Sequence, residues 1–256
     1  MIKKFTKKFI SVLFWIVLWQ LLSMLVSNSL LVPAPLAVAC RLGELSVMPS
    51  FWQTVALSLL RITAGIALSV IVGVVLAVLS FCFSFVETLL SPLMNVVKAT
   101  PVASFIMLAL LWLSRDLLPV FISVLIVVPV VTSNVLAGLR ATDPMLLQVS
   151  KAYRFSLAKT LRHNYLPSVY PHFISACRSS LGLAWKAGIA AEVLAVPALS
   201  IGKMIYDSKL YLETTDLFAW TTVVIVLSVT IESVFCAVVD RVGKRFERRV
   251  NTVAKA

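Results

Sequence analysis

Residues 148–173 read QVSKAYRFSLAKTLRHNYLPSVYPHF, a basic and amphipathic passage between long apolar stretches. Ahead of it, Asp143 precedes Pro144, and an N-cap residue followed by a proline at the first helical position predicts the start of a helix. Ser156 predicts the cap of a second, shorter helix, and Leu166–Pro167 predicts its end. The passage therefore predicts two short helices joined by a bend.

Each of these predicted helices has one apolar face at helical spacing. Such a segment fits the groove of a partner protein, and it fits the surface of an anionic lipid membrane equally well. The spacing does not choose between the two. The apolar residues are Leu146, Val149 and Tyr153 on the first helix and Leu157, Leu161 and Tyr165 on the second, opposite Lys159, Arg162 and His163.

The composition of the whole chain indicates an integral membrane protein. Of its 256 residues, 60% are hydrophobic and only 13% are charged, and the mean hydropathy is +0.99. A soluble domain could not hide so much apolar surface inside one core. A helix needs about 20 apolar residues to cross the membrane, and six segments are candidates: 9–26, 62–83, 96–113, 117–139, 173–196 and 217–239.

The positions of Lys and Arg predict the orientation of these spans. With six spans, three basic clusters fall on one side of the membrane, and the positive-inside rule assigns that side to the cytoplasm. Both termini and a loop at about 140–167 are therefore predicted to be cytoplasmic. This placement accounts for the net charge of +12 without nucleic acid as a partner. The clusters are Lys3, Lys4, Lys7 and Lys8; Arg140, Lys151, Arg154, Lys159 and Arg162; and Arg241, Lys244, Arg245, Arg248 and Arg249.

The chain predicts a single all-α transmembrane domain over 1–256, in the inner or cytoplasmic membrane of the cell. No Gly/Ser-rich or Pro-rich linker separates the apolar segments. The first span is predicted at about 9–26 and the core of the domain at about 55–240. Between the first two spans, SLLVPAPLAVACRLGELSVMPSFWQ (29–53) predicts an outer loop that contains a helix lying on the membrane surface. The third span is expected to break at Pro101.

A positive charge lies within the fifth predicted span and needs a neutralising partner or a polar environment. Lys186 lies near its middle, where a lone cation costs about 2.5 to 3.5 kcal/mol on insertion scales. One interpretation is a positive lining, with Lys98, along which an anion could pass. The other is a structural ion pair, in which Glu192 or Glu232 neutralises Lys186 or Arg178. We name Lys98, Ser179, Trp185, Lys186 and Glu192 as candidate residues of a translocation pathway.

The sequence contains no motif for catalysis or for nucleotide binding by this chain. Gly202–Lys203 and Gly243–Lys244 lack the other residues of a phosphate-binding loop. No hydrolase signature and no ligand spacing for a metal is present. We predict that the chain is not an enzyme and binds no cofactor directly.

The cytoplasmic passage resembles the coupling loop of ABC importer permeases, whose pattern runs Glu-Ala-Ala, three residues, Gly, nine residues, Ile-x-Leu-Pro. When the pattern is anchored on Leu166–Pro167, its Glu falls at Gln148, its two alanines at Val149 and Ser150, its Gly at Arg154 and its Ile at Asn164. Because a left-handed conformation at Arg154 costs about 1 kcal/mol or more, we expect a bend of another shape there. Gln148 replaces a carboxylate with an amide that retains hydrogen bonding.

The resemblance extends over about 31–232 and is to the branch of permeases that serves nitrate, sulfonate, taurine and related solutes. It is carried by LVPAPLAVACRLGEL after the first span, SLLRITAGIALSVIVGVVLA in the second, SPLMNVVKATPVASFIMLALLWL in the third and AWKAGIAAEVLAVPALSIGKMIYDSK around the fifth. It implies a type I importer fold with a second permease copy, two ATPase subunits that bind ATP-Mg, and an extracellular or periplasmic binding protein that delivers a small anionic solute. The coupling residues that it implies are Gln148, Tyr153, Arg154, Ser156, Leu157, Leu161, Leu166 and Pro167.

Two other functions stay open at this point. An ATP-independent secondary transporter or channel would need ion-coupling carboxylates within its spans, for which Glu192 and Glu232 are the candidates. A membrane scaffold would leave Lys186 paired and the cytoplasmic helices bound to some other protein.

Overall fold

A computed structural model describes residues 2–253, with side chains described at 10–237 and 241. Regular structure within this part of the chain is entirely helical, which confirms the all-α prediction. The helices are α1 (Ile2–Val26), α2 (Pro35–Val47), α3 (Pro49–Cys82), α4 (Ser84–Ala99), α5 (Val102–Ala109), α6 (Leu118–Arg140), α7 (Pro144–Ala152), α8 (Leu157–Thr160), α9 (Leu166–Ala195), α10 (Ile201–Leu210) and α11 (Thr214–Val253). A π-helical turn, Leu161–Tyr165, joins α8 to α9.

Among the described residues, three helical stretches are long and apolar enough to cross a membrane: Pro49–Cys82, Leu118–Arg140 and Thr214–Ala237. The pair α4 and α5 qualifies as a fourth if it is one broken span. The described apolar part of α1, Ile10–Val26, is shorter. Six spans with both termini in the cytoplasm therefore stay a prediction.

The third predicted span differs from 96–113. Its helix begins earlier, at Ser84, stops at Ala99, resumes at Val102 and ends at Ala109, and the two parts meet at an angle of 103°. The break falls at Thr100 and Pro101, as predicted. Pro101 has no N–H to donate and holds the preceding Thr100 in an extended conformation (ψ 134°).

The end of the cytoplasmic passage was predicted wrongly. Leu166–Pro167 does not terminate a helix, because the chain passes through the π-helical turn directly into α9. The Leu166 N–H donates to the carbonyl of Leu161, five residues earlier. Pro167 then lies in the first turn of α9, where a missing N–H is tolerated.

The described chain packs as two compact units. The flanking unit comprises residues up to Leu59 together with Glu192–Leu227, and the core unit comprises Leu60–Ala191 together with residues from Ser228 onward. That 1–256 act as one transmembrane domain stays a prediction.

In the core unit, small residues bring α3 and α6 close together. A Cβ at Gly65 would lie 2.7 Å from Cβ of Ser123, and one at Gly73 would lie 2.8 Å from Cβ of Val131. Such contacts favour helix association in a membrane, where little hydrophobic driving force exists between helices. The buried cluster around them consists of Ala77, Val127, Val131, Val135, Leu139, Ala176 and Ala184.

In the flanking unit, an ion pair joins α2 to the start of α11. Arg41 donates from Nε and Nη2 to the two carboxylate oxygens of Asp216, at 2.6 and 2.8 Å, and from Nη1 to Glu44 at 2.7 Å. The hydrogen bonds that Arg41 donates to Asp216 first and then to Glu44 raise the pKa of Arg41 further above its ordinary value. Helix α2 lies within the predicted outer loop and confirms the helix expected there.

Candidate functional site

The two predicted caps of the cytoplasmic segment are present. The carboxylate of Asp143 accepts a hydrogen bond from the Met145 N–H at 2.8 Å and caps α7. Ser156 Oγ accepts from the Lys159 N–H at 3.4 Å and caps α8. Each side chain satisfies a backbone donor that has no partner inside its helix. Local sequence therefore sets where both helices begin.

The bend between α7 and α8 is left-handed at Arg154. Its φ is 51°, the Arg154 N–H donates to the Lys151 carbonyl at 3.1 Å, and the Phe155 N–H donates to the Ser150 carbonyl at 2.9 Å. This pair of bonds is the Schellman arrangement, in which glycine is the usual residue at the left-handed position. The expectation of another shape was wrong, because the two hydrogen bonds hold Arg154 in the conformation that a glycine would adopt freely.

A buried amide joins the two arms of the bend. Asn164 Nδ2 donates to Ser150 Oγ at 2.8 Å and to the Leu146 carbonyl at 3.2 Å. Ser150 and Asn164 stand where the coupling pattern has alanine and isoleucine, so two departures from that pattern form one hydrogen bond. Sequence reasoning identified both departures but did not pair them, because neither carries a local signal for the other.

A row of apolar side chains on this segment faces outward, and we name it the coupling ridge: Met145, Leu146, Val149, Tyr153, Leu157 and Leu161. Leu157 is 85% exposed and Tyr153 is 75% exposed. Gln148, Arg154, Ser156, Leu166 and Pro167 are exposed beside the ridge. Tyr165 was expected on the same face but is partly buried, and its ring meets that of Phe81 edge to face, with the two centroids 5.7 Å apart. All six side chains of the ridge are left exposed by the rest of the described core unit.

The end of the segment contacts the transmembrane helices of the core unit. Ser168 Oγ donates to the Gly138 carbonyl at 3.1 Å. A Cβ at Gly138 would lie 2.9 Å from the Cα of Val169, so α6 and α9 approach closely there. Tyr165, Val169 and Phe173 also pack on the buried cluster. The segment is therefore in packing contact with α3 and α6.

A cavity of about 430 Å³ lies in the core unit at the break between α4 and α5. Its wall includes Lys98, Thr100 and Val102 from the two sides of the break, Ile126 and Val130 from α6, and Lys186 from α9. The two lysines proposed from the sequence thus line one cavity. Neither ammonium group forms an ion pair or a hydrogen bond within the described part of the core unit.

The other pathway candidates have different surroundings. Ser179 is exposed and donates to the Ser175 and Ala176 carbonyls of its own helix, each at 3.1 Å. Trp185 is buried, with 3% of its surface exposed. Neither residue lines the cavity of Lys98 and Lys186.

Glu192 is enclosed within the flanking unit and has no exposed surface. Its Oε2 accepts from Ser58 Oγ at 2.8 Å and from the Gly202 N–H at 3.2 Å. Ser58 Oγ also accepts from the Ile201 N–H at 2.9 Å. The carboxylate therefore lies at the N-terminus of α10, where the helix dipole favours a negative charge.

Only glycine fits at position 202 beside this carboxylate. A Cβ there would lie 2.3 Å from the Cβ of Glu192. Sequence reasoning missed Ser58 and Gly202 as partners of Glu192. The only local signals are a small polar residue inside the apolar helix α3 and a glycine directly after the first residue of α10. Pairing of Lys186 with Glu192 or Glu232 stays a prediction.

Residues 65–252 match the family described as the binding-protein-dependent transport system inner membrane component. The chain belongs to this family. The match covers most of the helices described above, including the segment with the coupling ridge and the cavity. It confirms the resemblance to ABC transporter permeases and makes this chain a multi-pass membrane transport component.

Several named relatives serve different small solutes. The chain is 27% identical over 77% of its length to the bicarbonate transport system permease protein CmpB of Synechococcus elongatus, covering 74% of that protein. It is 22% identical over 84% of its length to the taurine transport system permease protein TauC of Escherichia coli, covering 80%. It is 24% identical over 75% of its length to the nitrate import permease protein NrtB of Synechocystis sp., covering 73%. These relatives are transport permeases, which supports the prediction that the chain is not an enzyme.

A solved structure shares the fold. The crystal structure of an amino acid ABC transporter with histidines aligns with a TM-score of 0.56 and 15% sequence identity, covering 75% of this chain and 90% of the matched chain. At this identity the likeness concerns the fold alone. It supports the ABC permease architecture predicted from the sequence.

Proposed function

We propose that the chain is the permease subunit of an ATP-driven importer in the inner or cytoplasmic membrane, and that it forms the pathway for a small anionic solute delivered by an external binding protein. The observation that carries this proposal is the coupling ridge. A water-facing row of large apolar side chains calls for a covering surface, and an ATPase subunit with a complementary groove would supply one.

The shape of the segment favours a protein partner over a lipid surface. A helix that lies on lipid needs only an apolar face and basic neighbours. Here two helices meet at a left-handed residue, Arg154, and the buried Asn164 ties them together. These features give the ridge one defined shape, which a protein groove would exploit and a fluid membrane would not.

The contacts of the segment suggest how ATP would act on transport. ATP-Mg would be held by the partner ATPase pair, and closure of that pair would move α7 and α8 together. The displacement would pass to α6 through Ser168 and Gly138 and to α3 through Tyr165 and Phe81. Alternating access would follow from the shift of these helices.

Ion pairs within each unit support the proposed six-span orientation. Arg41 pairs with Asp216 in the flanking unit, and both residues belong to predicted outer loops. In the core unit Arg61 pairs with Asp116 on the predicted outer side, and Arg140 pairs with Glu87 on the predicted cytoplasmic side. Of the terminal basic clusters, only Arg241 has a described side chain; the other residues of those clusters lie outside the described side chains.

The solute class and the partners follow from the relatives and the cavity. Nitrate, bicarbonate and taurine are small solutes with an oxyanion group, and the lysine-lined cavity has the matching charge. A second copy of the same chain would complete the pathway, since no other permease sequence is implied by this one. An ATP-independent transporter gains no comparable support, because the enclosed Glu192 is held by Ser58 and α10.

The first experiment is co-purification with the candidate ATPase in detergent. The native chain is compared with Leu157→Asp/Leu161→Asp, which places two carboxylates on the coupling ridge. We expect the native chain to retain the ATPase and the double variant to lose it, because a desolvated carboxylate in an apolar groove is costly. The same loss is expected in ATP-dependent uptake by reconstituted vesicles.

Two controls make the result specific. Leu157→Met/Leu161→Met keeps the ridge apolar and should retain the ATPase. His163→Asp places a carboxylate on the predicted opposite face and should also retain it. Equal retention by the Asp double variant, or no ATPase bound to the native chain, would remove the coupling role and leave the lipid-surface interpretation.

A further inference from the structure

The cavity at the break between α4 and α5 has the composition of an anion site. Lys98 and Lys186 reach it from different helices, Val102 and Ile126 contribute apolar wall, and no Asp or Glu lines it among the described residues. We propose that this cavity binds a small monovalent oxyanion within the permease itself. The inference rests on the proposed transport function and adds a recognition site for the solute to it.

Two cations line one cavity whose remaining wall is mostly apolar. An apolar wall strengthens the attraction between an ammonium group and an anion because it lowers the local dielectric constant. The described part of the core unit supplies no carboxylate to either lysine. A bound oxyanion would supply the missing negative charge and accept charge-assisted hydrogen bonds from the ammonium groups.

The broken helix supplies a second, independent feature. Irregular backbone at membrane depth is tolerated where it is buried in protein or lines a water-filled cavity, and Thr100 and Val102 line this one. Thr100 Oγ1 donates to the Val96 carbonyl at 2.8 Å, so the side chain satisfies an acceptor at the end of α4. In the first turn of α5, the Ser104 N–H donates to the Pro101 carbonyl at 3.0 Å. The N–H groups of Val102 and Ala103 have no acceptor within their own helix and suit an anion.

The size of the cavity admits small solutes. A volume of about 430 Å³ lies near the lower end of the range of small-molecule pockets. It has room for nitrate, bicarbonate or a short sulfonate and does not by itself select among them. The mostly apolar remainder of the wall favours a compact ion with diffuse charge over a strongly hydrated polyanion.

The test is thermal unfolding of the purified permease in detergent, with sodium nitrate or sodium ethanesulfonate compared with sodium chloride at equal ionic strength. We expect an oxyanion to raise the unfolding midpoint of the native chain in a saturable manner, beyond the effect of chloride. Lys98→Gln/Lys186→Gln should lose this protection, or need at least about tenfold more anion, because two charged donors are removed. Lys186→Arg, which keeps the charge, should retain most of it.

Lys209→Gln serves as the matched control, because Lys209 is exposed in the last turn of α10 and does not line the cavity. It should keep full protection. If the double variant does not fold, the single variants Lys98→Gln and Lys186→Gln are each expected to weaken protection. Unchanged protection in the variants, or none beyond chloride in the native chain, overturns the proposal.

The assay separates this proposal from the importer proposal, since it needs neither ATPase nor binding protein. Protection that depends on the lysines, together with failure to bind an ATPase, would keep the anion site and remove the importer function. ATPase binding without lysine-dependent protection would keep the importer function and remove the anion site.

Discussion

Two charged residues of α9, Glu192 and Lys186, meet opposite environments. Glu192 has no exposed surface and accepts hydrogen bonds from Ser58 and from the start of α10. Lys186 is exposed at a cavity that it shares with Lys98. From the sequence, both were candidates for a translocation pathway and for one ion pair. A charge that the fold encloses contributes to structure, whereas a charge that the fold leaves facing a cavity is available to a ligand.

The cytoplasmic segment repeats this contrast with uncharged groups. Its buried Asn164 is held by Ser150 and Leu146, while Leu157 on the coupling ridge is 85% exposed. Enclosed polar groups define the shape of the segment, and exposed apolar groups define what it would bind.

The largest effect on stability is expected at Glu192. Glu192→Ala would leave Ser58 and the first N–H groups of α10 without their acceptor and should lower the free energy of unfolding by about 2 to 3 kcal/mol. Glu192→Gln keeps a hydrogen-bond acceptor and should lower the free energy of unfolding by less. Unfolding by SDS titration in mixed micelles measures both. A loss for Glu192→Ala no larger than that of an exposed control such as Glu213→Ala would break the contrast with Lys186.

A smaller effect is expected at the buried amide of the cytoplasmic segment. Asn164→Ala should lower the free energy of unfolding by about 1 to 2 kcal/mol, because Ser150 and the Leu146 carbonyl lose a donor. Asn164→Ile combined with Ser150→Ala restores the residues of the coupling pattern and should recover part of the loss. A double-mutant cycle measures the interaction between the two positions. Additive losses would show that they act independently.

Replacement of the left-handed residue should stabilise the bend. Arg154→Gly removes the steric cost of a positive φ and should raise the free energy of unfolding by about 1 kcal/mol. Arg154→Ala keeps that cost and serves as the control, since it also removes the charge. Slower hydrogen exchange at the Phe155 amide, which donates to Ser150, would report the gain locally. Equal exchange in both variants would show that φ at this residue costs little.

The smallest effect on stability is expected at Lys186. Lys186→Met should change the free energy of unfolding by no more than about 0.5 kcal/mol, since no described ion pair in the core unit is lost. Unfolding in mixed micelles provides the measurement, with Glu192→Ala as the reference. A loss as large as that of Glu192→Ala would instead favour the structural ion pair that the sequence also allowed.

Local signals explain the parts of the site that could be predicted. The caps at Asp143 and Ser156 depend on residues two or three positions away, and the break at Pro101 depends on the ring of one residue. The end predicted at Leu166–Pro167 failed because a π-helical turn places Pro167 in the first turn of α9. The prediction for the bend at Arg154 failed because two backbone hydrogen bonds outweigh the steric cost of a left-handed conformation there.

The order of residues was enough to predict a helical membrane protein and its membership of a transport family, and both are confirmed. The orientation derived from the placement of Lys and Arg stays a prediction. Hydropathy, the placement of cations and motif spacing are all properties of the sequence order. They can be read without knowing any tertiary contact. Three features join residues that lie between 10 and 134 positions apart: the hydrogen bonds to Glu192, the Ser150–Asn164 bond and the shared cavity of Lys98 and Lys186. Such contacts depend on helix packing, because only packing determines whether a polar side chain is enclosed or left facing a cavity.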